Sequence, residues 1–137
     1  MRKHYSEMTK TGYQLIVVAP ASGDFLKQFD QAFGPFPYPI YGDPTKYLYR
    51  KMGHQSMPKW KLLMQAGIGF IKNGKKAFMP DNTRQRELVK TAMKSQDIYI
   101  QGGTWIFNEN GKVVWSHIDT EPENHASIHD LLTIIKK

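Results

Sequence analysis

The stretch "QGGTWIFNENGKVVWSHIDTEPENH", residues 101–125, decides the fold prediction. Two runs of β-branched and aromatic residues flank Asn110-Gly111, the dipeptide that most strongly predicts a short hairpin turn. A segment rich in acidic residues and histidine follows, and an apolar pattern with helical period then runs to Ile135. The stretch therefore predicts an antiparallel hairpin followed by a final helix.

The start of that helix is predicted from Thr120, which has Glu123 three residues on and so resembles a capping box. Pro122 between them suits the first turn of a helix.

The first half of the chain predicts two strand–helix units. Tyr13 to Val18 is an apolar, β-branched run typical of a strand buried on both faces. Ser22 is a plausible N-cap for the helix after it, and Gly34 ends that helix. Prolines at 35, 37 and 39 then restrict the next strand to a short edge strand.

A second short helix is predicted after Asp43-Pro44 and closed by Gly53. A surface helix is predicted over "TRQRELVKTAMKS", residues 83–95. Strands that alternate with helices predict an α/β sandwich with parallel strands. At 137 residues the chain is expected to form a single domain, 1–137, in which 54–100 is a variable, insertion-like segment.

Composition excludes several classes of function. The 137 residues contain no cysteine, so disulfides, thiolate metal sites and thiol catalysis by this chain are excluded. No apolar run approaches the roughly 20 residues that span a bilayer. The N-terminal residues carry no apolar signal region, so the cytoplasm is the expected location. No cofactor is predicted.

The charge is concentrated in one segment. The formal net charge is +7, and residues 59–94 hold nine Lys or Arg against only Asp81 and Glu87. The segment is either a solvated face that aids solubility or a patch for an anionic ligand, a nucleic acid or a membrane surface.

The order of these pieces resembles the peroxiredoxin-like AhpC/TSA-type antioxidant family. The resemblance lies in "YQLIVVAPASGDFLKQFDQAFG", in a D-P-x₄-Y-x₃-G pattern from Asp43 to Gly53, and in the Q-G-G-T entry to the hairpin. An H-x-D and N-H tail, His117 to His125, completes it. The resemblance implies a thioredoxin-like sandwich with a mixed sheet, a C-terminal hairpin and a helix.

The departure from the family concerns its Cys-x-x-Cys motif. The resemblance implies that the chain begins within the helix after that motif, so that the motif and the central strand before it would be absent. A vacancy between the Tyr13–Val18 and Thr104–Phe107 strands would leave buried backbone groups unpaired. Three arrangements would remove this vacancy: direct pairing of the two neighbouring strands, a strand from a partner chain, or a dimer formed by the sheet edges. A homodimer is expected.

The candidate catalytic residues are His117, Asp119 and His125. If the second hairpin strand runs to Ile118, His117 and Asp119 share a face, and His125 follows near the last helix. Histidine beside a carboxylate can act in acid–base chemistry or form half of a metal site. The alternative is that these groups cap the helix and satisfy one another. No metal site is predicted.

A vacated cleft in such a fold is a natural place for a small apolar or anionic molecule. The candidate ligand-binding residues are aromatic, basic or histidine: His4, Lys59, Trp60, Lys61, Arg84, Trp105 and Trp115.

Three functions remain open. The first is a cysteine-free protein without thiol redox activity that binds a small molecule or a protein partner. The second is an acid–base enzyme of isomerase or cyclase type. The third is a binder of anionic surfaces or nucleic acid through residues 59–94, with nucleic acid the least expected partner.

Overall fold

The structure, a computed structural model, describes residues 1–56, 81–95, 100–121 and 124–136. The strands among these residues form two two-stranded sheets, and five α-helices accompany them. The described part of the chain is therefore mixed α/β, the class that the sequence predicts.

The first sheet is a parallel pair. Strand β1 (Val17–Ala19) pairs with β2 (Ile40–Gly42), and the Val17 N–H also donates to the Pro39 carbonyl at 3.0 Å. The prediction of parallel strands and of a short second strand is confirmed.

The predicted limits of the first strand, Tyr13 to Val18, are wrong. The structure has no strand before Val17, and Ile16 is 54% exposed rather than buried on both faces. The physical reason is the partner: β2 is three residues long because prolines precede it, so β1 has a partner over three residues only.

Helix α2 (Gly23–Phe33) follows β1 as predicted. The Ser22 hydroxyl accepts the Phe25 N–H at 3.3 Å and so caps the helix. Helix α4 (Thr83–Ser95) packs against α2, where the Gln85 side-chain amide donates to the Ala32 carbonyl at 2.9 Å.

Helix α3 (Tyr47–Lys51) begins where Asp43 predicts it. The Asp43 carboxylate accepts the backbone N–H of Tyr47 at 3.0 Å and of Leu48 at 2.8 Å. Gly53, just beyond the helix, has φ of +83°, a conformation that favours glycine.

The second sheet is the predicted hairpin. Strand β3 (Gly103–Phe107) pairs antiparallel with β4 (Val113–Ile118). Gly111 has φ of +72°, and the Asn108 side-chain oxygen accepts the backbone N–H of Lys112 at 2.9 Å. The turn predicted at Asn110-Gly111 is confirmed.

The last helix, α5 (Ile128–Ile135), starts later than the sequence predicts. Ser127 caps it by accepting the Asp130 N–H at 3.4 Å, so the capping box that starts at Thr120 is wrong. The Thr120 hydroxyl instead accepts the side-chain amide of Asn124 at 2.8 Å, inside a turn that precedes the helix. Pro122 and Glu123 lie outside the described residues.

The main core lies between helix α1 (Tyr5–Thr9), the hairpin and α5. Met8, Ile106 and Leu131 are its buried residues, and Trp115 packs against them. None of the helices among the described residues has the length and apolarity needed to cross a membrane.

Within the described residues, β1 and β3 belong to different sheets and are not hydrogen-bonded to each other. Direct pairing of these strands, one of three predicted ways to fill a vacant central position, is therefore not observed there. A strand from a partner chain and a dimer of sheet edges stay predictions.

Candidate functional site

His54 links the two sheets through its side chain. It lies three residues after the end of α3 and is only 8% exposed. Its Nδ1 is 2.9 Å from the Gln101 carbonyl, and its Nε2 is 3.2 Å from the Trp105 indole nitrogen. Because a carbonyl only accepts and an indole N–H only donates, the ring carries its proton on Nδ1.

Tyr49 continues this link to the first sheet. Its ring meets the His54 ring edge-on at 5.3 Å between centroids, and its hydroxyl donates to the Val18 carbonyl at 2.7 Å. Burial, and secondarily the charge of Asp43, raises the pKa of Tyr49 to about 12, so the hydroxyl stays a donor at physiological pH.

The Gly102-Gly103 pair lets two polar side chains approach the backbone at the start of β3. A Cβ on Gly102 would lie 2.7 Å from Asp119 Oδ2, and one on Gly103 would lie 2.6 Å from His54 Cε1. Only residues without a Cβ fit these two positions unless a neighbour shifts. The Q-G-G-T motif is therefore the point at which the His54 link and the Asp119 carboxylate meet the hairpin.

Asp119 is the centre of the candidate site. It directly follows β4, is 6% exposed, and its backbone N–H donates to the Gly102 carbonyl at 3.0 Å. Its Oδ2 is 2.8 Å from His125 Nδ1, and its Oδ1 is 3.6 Å from His117 Nε2. The structure thus brings together the three predicted catalytic residues, here called the Asp119 cluster.

The two histidines of the Asp119 cluster have different surroundings. His117 stacks on Trp115, and its Nε2 is 2.8 Å from the Asn124 carbonyl, to which it must donate. His125 is largely exposed, with a side-chain exposure of 72% against 27% for His117. His117 therefore holds the turn around Asn124, and His125 faces solvent.

The chemistry open to the Asp119 cluster is proton transfer or nucleophilic attack through an imidazole nitrogen. Among the residues that the structure describes, no group of three or more His, Cys, Asp or Glu side chains is arranged to hold a metal ion.

The predicted ligand-binding residues do not converge on one place. Trp105 bonds to His54, Trp115 packs on the main core, and Arg84 donates to the Gln31 side chain at 2.9 Å between α4 and α2. His4 lies 3.5 Å from Glu7. Lys59, Trp60 and Lys61 lie outside the described residues.

A separate apolar cavity lies beside the first sheet. It has a volume of about 310 Å³ and is bordered by β1, β2, α2 and α4. Among the described residues its lining is apolar: Val17, Ala19, Ala21, Phe25, Leu26, Phe29, Phe33, Ile40, Leu88 and Val89.

His54 and the cavity are what sequence reasoning missed. His54 follows a helix-ending glycine, a position that gives no sign that the ring reaches Trp105 some 50 residues on. The residues that line the cavity belong to apolar stripes of α2 and α4, which the sequence predicts. The distance between the two helices, which creates the volume, is not predicted by the sequence.

A sequence model of the AhpC/TSA antioxidant enzyme family matches residues 1–121, which is most of the chain. Neither a search of curated proteins nor a search of solved structures found a significant match.

Proposed function

This chain belongs to the AhpC/TSA antioxidant enzyme family, and we propose that its own residues serve that fold in a role that uses no thiol: the binding of a small apolar molecule. The family implies a thioredoxin-like fold, and the 137 residues supply no cysteine for peroxide or disulfide chemistry.

The observation that carries this proposal is the apolar cavity. Its volume of about 310 Å³ lies at the lower end of the range of roughly 300–1,000 Å³ that is usual for ligand sites. A cavity with an apolar wall gives water few hydrogen-bond partners, so an apolar guest gains more from entering it than water does.

The position of the lining residues supports the same occupant. Val17 and Ala19 alternate along β1 and therefore point to one face of the sheet, toward the apolar side of α2. Leu88 and Val89 of α4 border the cavity from the other side. An anionic ligand would find no basic side chain among these lining residues, which favours an uncharged guest.

The test is a fluorescence titration with N-phenyl-1-naphthylamine, an uncharged apolar probe. Wild-type protein should bind it saturably, and Ala19→Leu, which fills part of the cavity, should weaken binding at least several-fold. Gln28→Leu is the matched control, because it adds the same side chain on the exposed face of α2. Equal binding by wild type and Ala19→Leu, or no binding by either, would contradict the proposal.

A second candidate function is acid–base catalysis at the Asp119 cluster. The contact of 2.8 Å between Asp119 and His125 favours it, because a carboxylate that fixes one imidazole nitrogen leaves the other available for proton transfer. Its test is the exchange of α-protons of 2-butanone in deuterated water, followed by NMR. The exchange rate above background should vanish in His125→Gln, and an unchanged rate would remove His125 from such a mechanism.

The remaining predictions need measurements in solution. The homodimer is tested by the mass of the protein in solution. Binding of polyanions through 59–94, most of which lies outside the described residues, should weaken steeply with added salt if it occurs.

A further inference from the structure

His125 uses its two ring nitrogens unequally. Its Nδ1 is 2.8 Å from Asp119 Oδ2, and a carboxylate oxygen there accepts a proton rather than donating one. No partner for Nε2 occurs within the described ranges, and 72% of the side chain is exposed. The neutral ring therefore carries its proton on Nδ1 and presents the Nε2 lone pair to solvent.

Asp119 cannot easily turn away from this contact. The carboxyl group is buried, and the absence of a Cβ on Gly102 gives Oδ2 its place beside the backbone. The turn that carries His125 is closed on both sides by Asn124, whose amide donates to Thr120 and whose carbonyl accepts from His117. The Asp119–His125 pair is thus fixed before any substrate arrives.

We propose that His125 Nε2 is a nucleophile toward small acyl electrophiles such as activated esters and pyrocarbonates. Asp119 is the positioning residue, and His117 holds the turn. The inference concerns the same Asp119 cluster as the second candidate function, proposes a different reaction for it, and is independent of the apolar cavity. An exposed nucleophile needs no deep pocket for a small, reactive acyl group, which agrees with the open position of His125.

The reaction with an ester has two steps. The Nε2 lone pair attacks the carbonyl carbon, the bond to the alcohol oxygen breaks, the ring gives up its Nδ1 proton to water, and water protonates the departing alkoxide. Water then adds to the acyl carbon of the acyl-imidazole, the carboxylic acid leaves, and a proton returns to the ring. The sum is ester plus water to acid plus alcohol.

The chain contains its own reference group for a test. His129 is also exposed, lies four residues from His125 on α5, and makes no carboxylate contact within the described residues. Both histidines react in the same sample, so the pH and the reagent concentration are identical for the two. A difference in their acylation rates then reports the lone pair that Asp119 maintains.

The experiment treats folded protein with limiting diethyl pyrocarbonate and measures carbethoxylation of each histidine by peptide mass spectrometry. His125 should react faster than His129, by about tenfold, a modest share of the roughly 10²–10⁴-fold that positioned proton transfer contributes in enzymes. Equal rates in wild-type protein would overturn the proposal, whatever the variants show.

Two variants separate the roles. Asp119→Asn keeps the size of the side chain and removes its charge, so the ratio of His125 to His129 rates should fall toward one. Glu121→Gln removes the charge of an exposed carboxylate outside the Asp119 cluster and should leave the ratio unchanged. A ratio that survives Asp119→Asn would overturn the positioning role of Asp119.

The ketone exchange described above separates this inference from the second candidate function. If exchange depends on His125 but His125 is not preferentially acylated, His125 acts as a base and the proposal that it is a nucleophile is contradicted. Preferential acylation without exchange would support the nucleophile and reject the base.

Discussion

The Asp119 cluster is held by directional hydrogen bonds between the end of a hairpin, a turn and a loop, whereas the apolar cavity is bordered only by contacts between apolar side chains. Hydrogen bonds fix distances and the positions of protons, and apolar contacts mainly fix volume. A change of one atom should therefore alter the Asp119 cluster, while the cavity should respond chiefly to changes in size.

The largest expected effect compares two leucines. Leu131 is 4% exposed in the main core beneath the hairpin, and Leu26 borders the cavity. Leu131→Ala should lower the free energy of unfolding by about 2–5 kcal/mol, the usual range for a buried leucine. Leu26→Ala should lower it less, because its side chain already faces open volume.

Urea denaturation of both variants measures this difference. Equal losses of stability would mean that Leu26 is as well packed as Leu131, and the cavity would then be an ordinary part of the core.

The next effect compares two glycines. Gly103→Ala places a Cβ against His54 and against the His117 carbonyl at 2.7 Å, so the free energy of unfolding should fall by about 1–3 kcal/mol. Gly23→Ala, at the start of α2, meets no atom within 4 Å and should be neutral or raise stability by about 0.4–1 kcal/mol.

The same denaturation curves, with Trp fluorescence as the probe, check both glycine variants. A Gly103→Ala variant as stable as Gly23→Ala would show that the close approach of His54 does not constrain the hairpin.

How far the sequence predicts these two regions depends on the range of the interactions. The Ser22 cap, the Asp43 start and the Asn110-Gly111 turn depend on neighbours within five residues, and all three are confirmed. The predicted start of α5 is wrong because Thr120 has two possible hydrogen-bond partners nearby in the sequence, and its hydroxyl accepts from the Asn124 side chain.

Contacts between residues that lie far apart in the sequence could not be predicted. The grouping of His117, Asp119 and His125 follows from a strand period and a short turn, so it could be predicted. The bond from Trp105 to His54 joins β3 to the loop after α3, about 50 residues earlier in the chain, and no local pattern encodes it. The same holds for the cavity, whose volume depends on how α2 and α4 sit over β1.

The smallest expected effect lies outside both regions, where Lys136 of the C-terminal end meets Glu7 of α1 at 2.7 Å. The hydrogen bond from Lys136, and secondarily that from His4, lowers the pKa of Glu7 below its ordinary value of 4.5. A lowered folded-state pKa adds stability above the unfolded-state pKa, and this stability is lost as the pH falls through the folded-state value.

Glu7→Gln should therefore lower the melting temperature slightly at pH about 7 and lower it less at pH about 3, because the contribution of the ion pair is lost as the pH falls through the folded-state pKa of Glu7. Thermal melts at the two pH values measure it. A deficit in Glu7→Gln that persists unchanged at the lower pH would contradict the ion pair as its cause.

The claim that directional bonds from Asp119 set the chemistry of the polar region is tested most directly by the tautomers of its histidines. Long-range ¹H–¹⁵N NMR spectra of the neutral imidazole rings should show His125 with its proton on Nδ1 and His117 with its proton on Nε2. His129, which makes no carboxylate contact within the described residues, is the reference. A His125 spectrum that matches His129 would contradict the account, because Asp119 would then not hold the ring.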